Sequence, residues 1–297
     1  MVKTILTQRV NAMHQKTRIK HKILISLLIL SSGQALGNDF RSARSAALGG
    51  AGHANPLLND AVFQNPSFAS LLPVYSWAAD FRALGEGRGR AYTISVMDGR
   101  SELFQAAAAY TVRDELTAFH LGASKKLHPK AAIGIGGKMF FAKDKSLLEN
   151  SKNLNLSATV APLDWLQLSL TADNLLTPSR TSQLGLEREV VLGTKFKASE
   201  KLLFYIDPRA RLGEGLKTAA NPVLGYEAGS EIALFKDFFF RLGKFKNISH
   251  PDVRSKADGF GYGFGWVAPR MSFDFAIERM RSPEDRLSYT SGMTLYF

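Results

Sequence analysis

Asp258-Gly259-Phe260-Gly261-Tyr262-Gly263-Phe264-Gly265-Trp266 sets a glycine at every second position and a large aromatic between each pair. Side chains of a β-strand point alternately to its two faces, so Phe260, Tyr262, Phe264 and Trp266 share one face and the four glycines the other. Neither face is polar. A soluble strand combines an apolar inner face with a polar outer one. This stretch instead fits a wall with hydrocarbon against its aromatics and an enclosed interior against its glycines. The bare face either gives clearance to something that approaches the wall or eases the curvature of a tilted strand, and the sequence leaves both open.

The same period of two runs through the rest of the chain. From Tyr75 onward, about ten residues of alternating apolarity are followed by a turn, again and again, which is the signature of a transmembrane β-barrel. The first strand carries Tyr75, Trp77, Ala79 and Phe81 on its apolar face, and the last carries Leu287, Tyr289, Met293, Leu295 and Phe297. The opposite faces are small or polar, as in Asn153, Asn155, Ser157 and Thr159, or Gln167, Ser169, Thr171 and Asp173. The count is about 14 strands, an even number as single-chain bacterial barrels require. A soluble sandwich alternates too, and the connections discriminate. Those after even-numbered strands are tight, as at Leu127-His128-Pro129-Lys130 and Ala268-Pro269-Arg270. Several after odd-numbered strands are predicted as long loops, over 143–152, 174–187, 211–221 and 247–258. Short turns on one rim and long loops on the other are what a barrel inserted from the periplasm has. The expected fold is therefore all-β, a transmembrane antiparallel β-barrel of about 14 strands.

The N-terminus fits an exported chain. Lys16, Arg18, Lys20 and Lys22 precede the apolar run 23–30, and Ala35-Leu36-Gly37 offers the small residues a signal peptidase reads, so 1–37 is expected to be a signal peptide. Met13 offers an alternative start. The apolar run is too short to span a bilayer. Removing 1–37 takes away six basic residues and no acidic ones, so the precursor's +12 falls to 32 minus 26, or +6. With an export signal and no basic helix, nucleic-acid binding is excluded as a reading. There is no cysteine, so the exported chain must be held by hydrogen bonds and packing alone. The terminal Phe297, on the apolar face of the last strand, resembles the C-terminal signal that outer-membrane barrels present to the barrel assembly machinery. The expected location is the outer membrane of a Gram-negative-type bacterium, with outer-membrane lipid around the wall.

Residues 38–72 do not alternate. They contain Ala43-Arg44-Ser45-Ala46-Ala47-Leu48-Gly49-Gly50-Ala51 and, further on, Asp60-Ala61 with Asn65-Pro66-Ser67. Here the chain resembles the FadL/TodX-type family of outer-membrane transporters and its PorV-like relatives, whose mature N-termini read "ARSAALGGA" and then "D-A-x-x-x-x-N-P-A". Ser67 stands where Ala is usual, and Ala172-Asp173-Asn174-Leu175 is similar to a further family element. The resemblance implies a barrel, 73–297, whose N-terminal segment, 38–72, plugs the lumen, with Ala46, Leu48, Gly49, Gly50, Asn65 and Pro66 as the plug motif. It also implies passive uptake of hydrophobic or amphipathic small molecules, as in long-chain fatty-acid transporters. The alternative within the resemblance is a PorV-like barrel that does not transport and serves as docking or carrier partner for exported proteins.

Catalytic chemistry is thin, and the expectation is no enzyme, no cofactor and no metal. Of the histidines, His14 and His21 lie in the signal, and His128 and His250 sit beside prolines in predicted turns or loops. Only His53 and His120 are expected to face the interior, and neither has a metal-ligand or Ser/Asp partner at recognisable spacing. Parity places Asp80, Lys138, Asp173, Asp207, Glu227, Glu231, Arg241, Asp274 and Glu278 in the lumen. Lys195, Lys197, Arg209 and Arg211, also inward, either pair across the lumen or form a basic site that attracts a carboxylate or another anion. Gly259, Gly261, Gly263 and Gly265 are the candidates for lumen clearance.

Overall fold

The computed structural model describes residues 40–85, 89–143, 150–176, 187–211 and 224–297, and the expected signal peptide lies outside them. Fourteen strands follow one another: β1 (Tyr75–Leu84), β2 (Arg90–Asp98), β3 (Gln105–Arg113), β4 (Leu116–His128), β5 (Ala131–Ala142), β6 (Ser151–Leu163), β7 (Leu166–Asp173), β8 (Glu189–Ser199), β9 (Leu202–Arg211), β10 (Leu224–Ala233), β11 (Phe238–His250), β12 (Val253–Ala268), β13 (Met271–Ser282) and β14 (Arg286–Tyr296). They form a closed antiparallel barrel in which each pairs with its sequence neighbours and β1 closes on β14. Closure leaves no unpaired sheet edge, the condition for placing strand backbone in hydrocarbon. The chain end completes the seam, as the Phe297 N–H donates to the Tyr75 carbonyl at 2.9 Å.

The predicted faces appear in the structure. Trp77, Ile94, Ile135, Leu170, Ile206, Phe264 and Phe273 are exposed on the outer wall, while their neighbours Ser76, Thr93, Gly136, Thr171, Asp207, Gly263 and Asp274 are buried within. Among the described residues no helix is long and apolar enough to cross a membrane. Phe297 shares its rim with the tight connections Pro129–Lys130, Asp164–Trp165, Glu200–Lys201 and Pro269–Arg270. On the opposite rim the connections β5–β6, β7–β8 and β9–β10, where loops are predicted over 143–152, 174–187 and 211–221, lie largely outside the described residues.

One predicted loop is not a loop. Over 247–258 the structure instead continues β11 to His250 and starts β12 at Val253, joined only by Pro251–Asp252. The ladder is bulged between Phe245 and Ile248 and again between Ser249 and His250. Each bulge breaks the period of two and bends the hairpin, which is why alternation did not reveal a strand here. The bend turns the hairpin tip across the mouth of the barrel. Arg113, at the end of β3, donates to the Pro251 carbonyl at 2.7 Å, and Arg82 of β1 donates to the Asp252 carboxylate at 2.5 Å.

The N-terminal segment lies inside the barrel. Every residue from Phe40 to Ala54 is buried. Helix α1 (Ala43–Ala47) is capped by Ser42, whose Oγ accepts the Ser45 N–H at 3.1 Å. Five residues are too few for a helix to persist in isolation, so the surrounding wall holds it in shape. Gly49 and Gly50 follow with φ of 66° and 91°, left-handed values that let the chain reverse where a side chain would be strained. After it come a 3₁₀ turn (Leu58–Asp60), helix α2 (Ala61–Gln64) and a second 3₁₀ turn (Pro66–Leu71) that leads into β1.

Candidate functional site in the plugged lumen

Helix α1 rests on the wall where the wall has no side chains. A Cβ at Gly261 would lie 1.9 Å from the Ala46 carbonyl oxygen, and one at Gly263 would lie 2.9 Å from the Ala47 Cβ. Ala43, Ala46 and Ala47 pack there against Ala276 of β13. The other two glycines of the stretch make room for wall side chains: Phe245 beside Gly259, and the Arg241–Asp274 pair beside Gly265. The helix is also met by glycines that alternation alone did not single out. Leu48 lies against Gly229 of β10 and Gly243 of β11, and Ser67 at the far end of the plug lies against Gly134 of β5.

Around α1 the contacts are ionic. Arg41 donates to Glu227 of β10 at 2.6 Å and to Glu278 of β13 at 2.8 Å. Arg44 reaches Glu231 at 3.3 Å and the Tyr205 hydroxyl at 3.0 Å. Burial works against the Arg44 charge, but Glu231 and Tyr205 outweigh it and hold the guanidinium more firmly protonated than usual. Glu278 also accepts from Arg82 at 2.7 Å and contacts His250 at 2.6 Å, and Arg241 bridges Glu231 and Asp274. The tip residue Asp252 belongs to the same network. Burial pushes its carboxyl up, and Arg82 and His250 more than compensate, holding it below the usual carboxylate range. Plug, wall and hairpin tip are thus cross-linked by buried guanidinium–carboxylate pairs, the arrangement in which such charges are tolerated.

The other end of the plug is held differently. Phe40, Val62, Phe63, Phe68 and Ala69 pack with Ala91, Met97, Ala107 and Ala109 of β2 and β3, and Leu58, Leu71 and Leu72 flank this cluster. Beside it, neutral hydrogen bonds fix the Asn65-Pro66-Ser67 element. Asn65 Nδ2 donates to the His53 carbonyl at 2.6 Å and to Thr159 Oγ1 at 2.8 Å, and the Ser67 N–H donates to Ser157 Oγ at 2.9 Å. The Ser67 hydroxyl, standing where the resemblance expects Ala, donates to Asn65 Oδ1 at 2.6 Å and shares a 2.7 Å contact with Thr159. Pro66 starts its 3₁₀ turn, a position where the missing N–H costs nothing.

The basic candidates split into two pairs. Lys195 and Lys197 stand opposite Tyr205 and Leu203 near the β8–β9 turn, whereas Arg209 and Arg211 stand opposite Val191 and Glu189 at the other end of the hairpin. Four residues of strand separate the pairs, roughly 13 Å. Arg209 binds Glu227 and Glu189, Arg211 binds Glu187, and Lys197 binds Glu200 at the turn rim. The histidines are structural in their contacts. His53 Nδ1 meets Asp207 at 2.9 Å, and His120 lies edge-on to Phe63 and Phe140. His250, expected in a loop, is buried at Glu278. Two trios, His53–Asp207–Glu227 and His250–Asp252–Glu278, bring ligand-type atoms within 4.8 Å. Guanidinium groups already fill the cation's role in both: Arg41 and Arg209 at Glu227, Arg41 and Arg82 at Glu278.

Between plug and hairpin tip lies a cavity of about 40 Å³, lined by Arg41, His53, Phe63, Gln64, Arg209 and Pro251 among others. That is room for one or two water molecules. Fold and lumen together define a class, the 14-stranded transmembrane barrel with an N-terminal plug. No family model and no curated protein matches the chain by sequence. Among solved structures it is similar to the monoaromatic hydrocarbon channel CymD, with a TM-score of 0.64 and 10% identity over 86% of this chain and 97% of that one. It is likewise similar to the toluene transporter TbuX of Ralstonia pickettii, at 0.61 and 10% over 88% and 99%, and to the toluene transporter TodX of Pseudomonas putida, at 0.58 and 11% over 89% and 99%. The fold is that of FadL/TodX-type barrels, as the N-terminal motif led one to expect.

Proposed function

We propose that the protein is an outer-membrane channel for passive uptake of hydrophobic or amphipathic small molecules, long-chain fatty-acid-like or monoaromatic. The observation that carries this reading is the apolar seam between the plug and β2–β3, the most extensive of the buried apolar clusters among the described residues. A hydrophobic solute can replace apolar contacts there with others of equal worth, whereas no such solute can replace a guanidinium at a buried carboxylate. The route is therefore along the β2–β3 side, with α1 remaining in place. Structural neighbours named as hydrocarbon channels and toluene transporters support the same class of solute.

One observation favours the docking reading: plug and hairpin tip leave a cavity of only about 40 Å³, too small for a hydrocarbon ring without movement. The two readings separate in liposomes. Full-length mature protein is reconstituted, and entry of toluene and of a long-chain fatty acid is followed against empty vesicles, alongside a variant lacking 40–72. Entry above background supports the channel. No entry even after the plug is removed sinks it and leaves the non-transporting barrel.

A further inference from the structure

The outer wall carries a second feature that the lumen does not explain. On β11 and β13, outward positions near the rim opposite Phe297 switch from apolar to basic. Phe238, Phe240 and Leu242 give way to Lys244 and Lys246, and Phe273, Phe275 and Ile277 give way to Arg279 and Arg281. All four cations are exposed. The register brings them together, since Lys244 stands opposite Phe260 of β12 and Phe260 stands opposite Arg279. Two strand spacings put the Lys244 and Arg279 backbones about 10 Å apart, and Lys246 lies about 7 Å further toward the rim. The Arg281 guanidinium sits over the Phe260 ring at 5.0 Å, and Phe260 stacks on Tyr262 below it.

Carboxylates lie close by, and Glu284 among them pairs with Arg286 at 2.8 Å. Asp285 pairs with Arg279 at 2.6 Å, and Asp258 accepts the Asn247 backbone N–H at 2.7 Å. Among the described residues, no hydrogen bond or ion pair joins Lys244, Lys246 or Arg281 to a carboxylate. Lys244 and Lys246, without an ion-pair partner among the described residues, and Arg281, held over Phe260, stand at the edge of an apolar band with aromatics beneath and match an anionic lipid headgroup whose chains run down the wall. The rim opposite the chain end and the tight turns is the extracellular one in barrels of this type. The cations spread over an area wider than one phosphate needs.

We propose that Lys244, Lys246, Arg279 and Arg281, around Phe260, form a binding site on the outer wall for a glycolipid of the outer leaflet that carries more than one phosphate. The site is independent of what crosses the lumen. The test titrates detergent-solubilised mature protein with bisphosphorylated lipid A, with dephosphorylated lipid A and with phosphatidylglycerol, for wild type and for the triple variant Lys244→Gln, Lys246→Gln, Arg281→Gln. Wild type is expected to prefer the bisphosphorylated lipid over both others. The triple variant should bind it roughly 100-fold more weakly, and Lys244→Arg with Lys246→Arg should retain it. The substituted side chains are exposed, and heat-dependent gel mobility verifies that each variant is a folded barrel. Equal binding of the bisphosphorylated lipid by wild type and triple variant overturns the proposal. So does equal wild-type binding of phosphatidylglycerol, or of lipid A without its phosphates.

Discussion

From Arg41 to Gly50 the plug is held by guanidinium–carboxylate pairs and by a helix laid on bare glycines, whereas from Leu58 to Leu72 it is held by packed apolar side chains and neutral hydrogen bonds. The first kind of contact depends on geometry and on complete pairing, because removing one partner from the shared network leaves excess charge buried. The second kind tolerates exchange, because one apolar surface covers another about as well as the next. The first end therefore anchors the plug, and the second is the side along which contacts can be traded for solute.

The largest expected effect tests the anchor. Glu278→Ala leaves Arg41, Arg82 and His250 without a shared partner and should destabilise the protein by about 3–5 kcal/mol, measured as a shift in urea unfolding in detergent micelles. A shift below about 1 kcal/mol would mean the ionic end is not the anchor. Phe68→Ala removes a buried ring from the seam, and its cost should fall at the lower end of about 3–5 kcal/mol, but with a different signature. Cleavage between Arg41 and Gly50 by added protease should stay slow while entry of hydrophobic solute rises. Loss of protection across the whole plug would erase the distinction between its ends.

Gly261→Val follows, at about 1–3 kcal/mol, because its Cβ would press on the Ala46 carbonyl and lift α1 from the wall. Gly137→Ala is the control, as nothing lies within 4 Å of its added Cβ. If Gly261→Val leaves the plug as protease-resistant as Gly137→Ala does, the glycine face serves curvature and not clearance. The smallest effect is one of pH. Burial raises the Asp60 carboxyl to about 6, opposed by a hydrogen bond from Ser42 and the charge of Arg44. The folded protein then takes up this proton before the unfolded chain does, so seating is strengthened as pH falls from 7 through 6 and loses that contribution as pH rises back through 6. Plug protection should be greater at pH 5 than at pH 7.5. Asp60→Asn should abolish the part of that difference due to this group, and an unchanged difference would assign it elsewhere.

Much of the wall was legible residue by residue. Trp77 and Ile94 outward, and Asn153 and Asn155 inward, follow from a period of two that each strand carries by itself. Arg82 was within reach of the same parity, two positions from Asp80, and its place in the lumen could have been read from it. Glu189, two positions before Val191 on β8, gave the same signal. His250 and Asp252 were not legible, because the bulges after Phe245 and Ser249 shift the face of each following residue, and a bulge leaves no regular mark in sequence. Strand parity alone leaves the basic quartet open between pairing and a shared site, because parity carries no register. The antiparallel pairing sends Lys195 and Arg209 to different ends of one hairpin.

The amino-acid order alone determined that there are strands, about how many, which side of each meets hydrocarbon, and that a small-residue segment precedes them. These are local properties, written in alternation and in runs of a few residues. Which charge meets which was decided only on closure, when Arg41 came to Glu278 across 237 residues of chain and Pro251 came to Arg113 across the mouth. Such pairs depend on barrel circumference, stagger and bulges acting together. No short window of sequence contains that geometry.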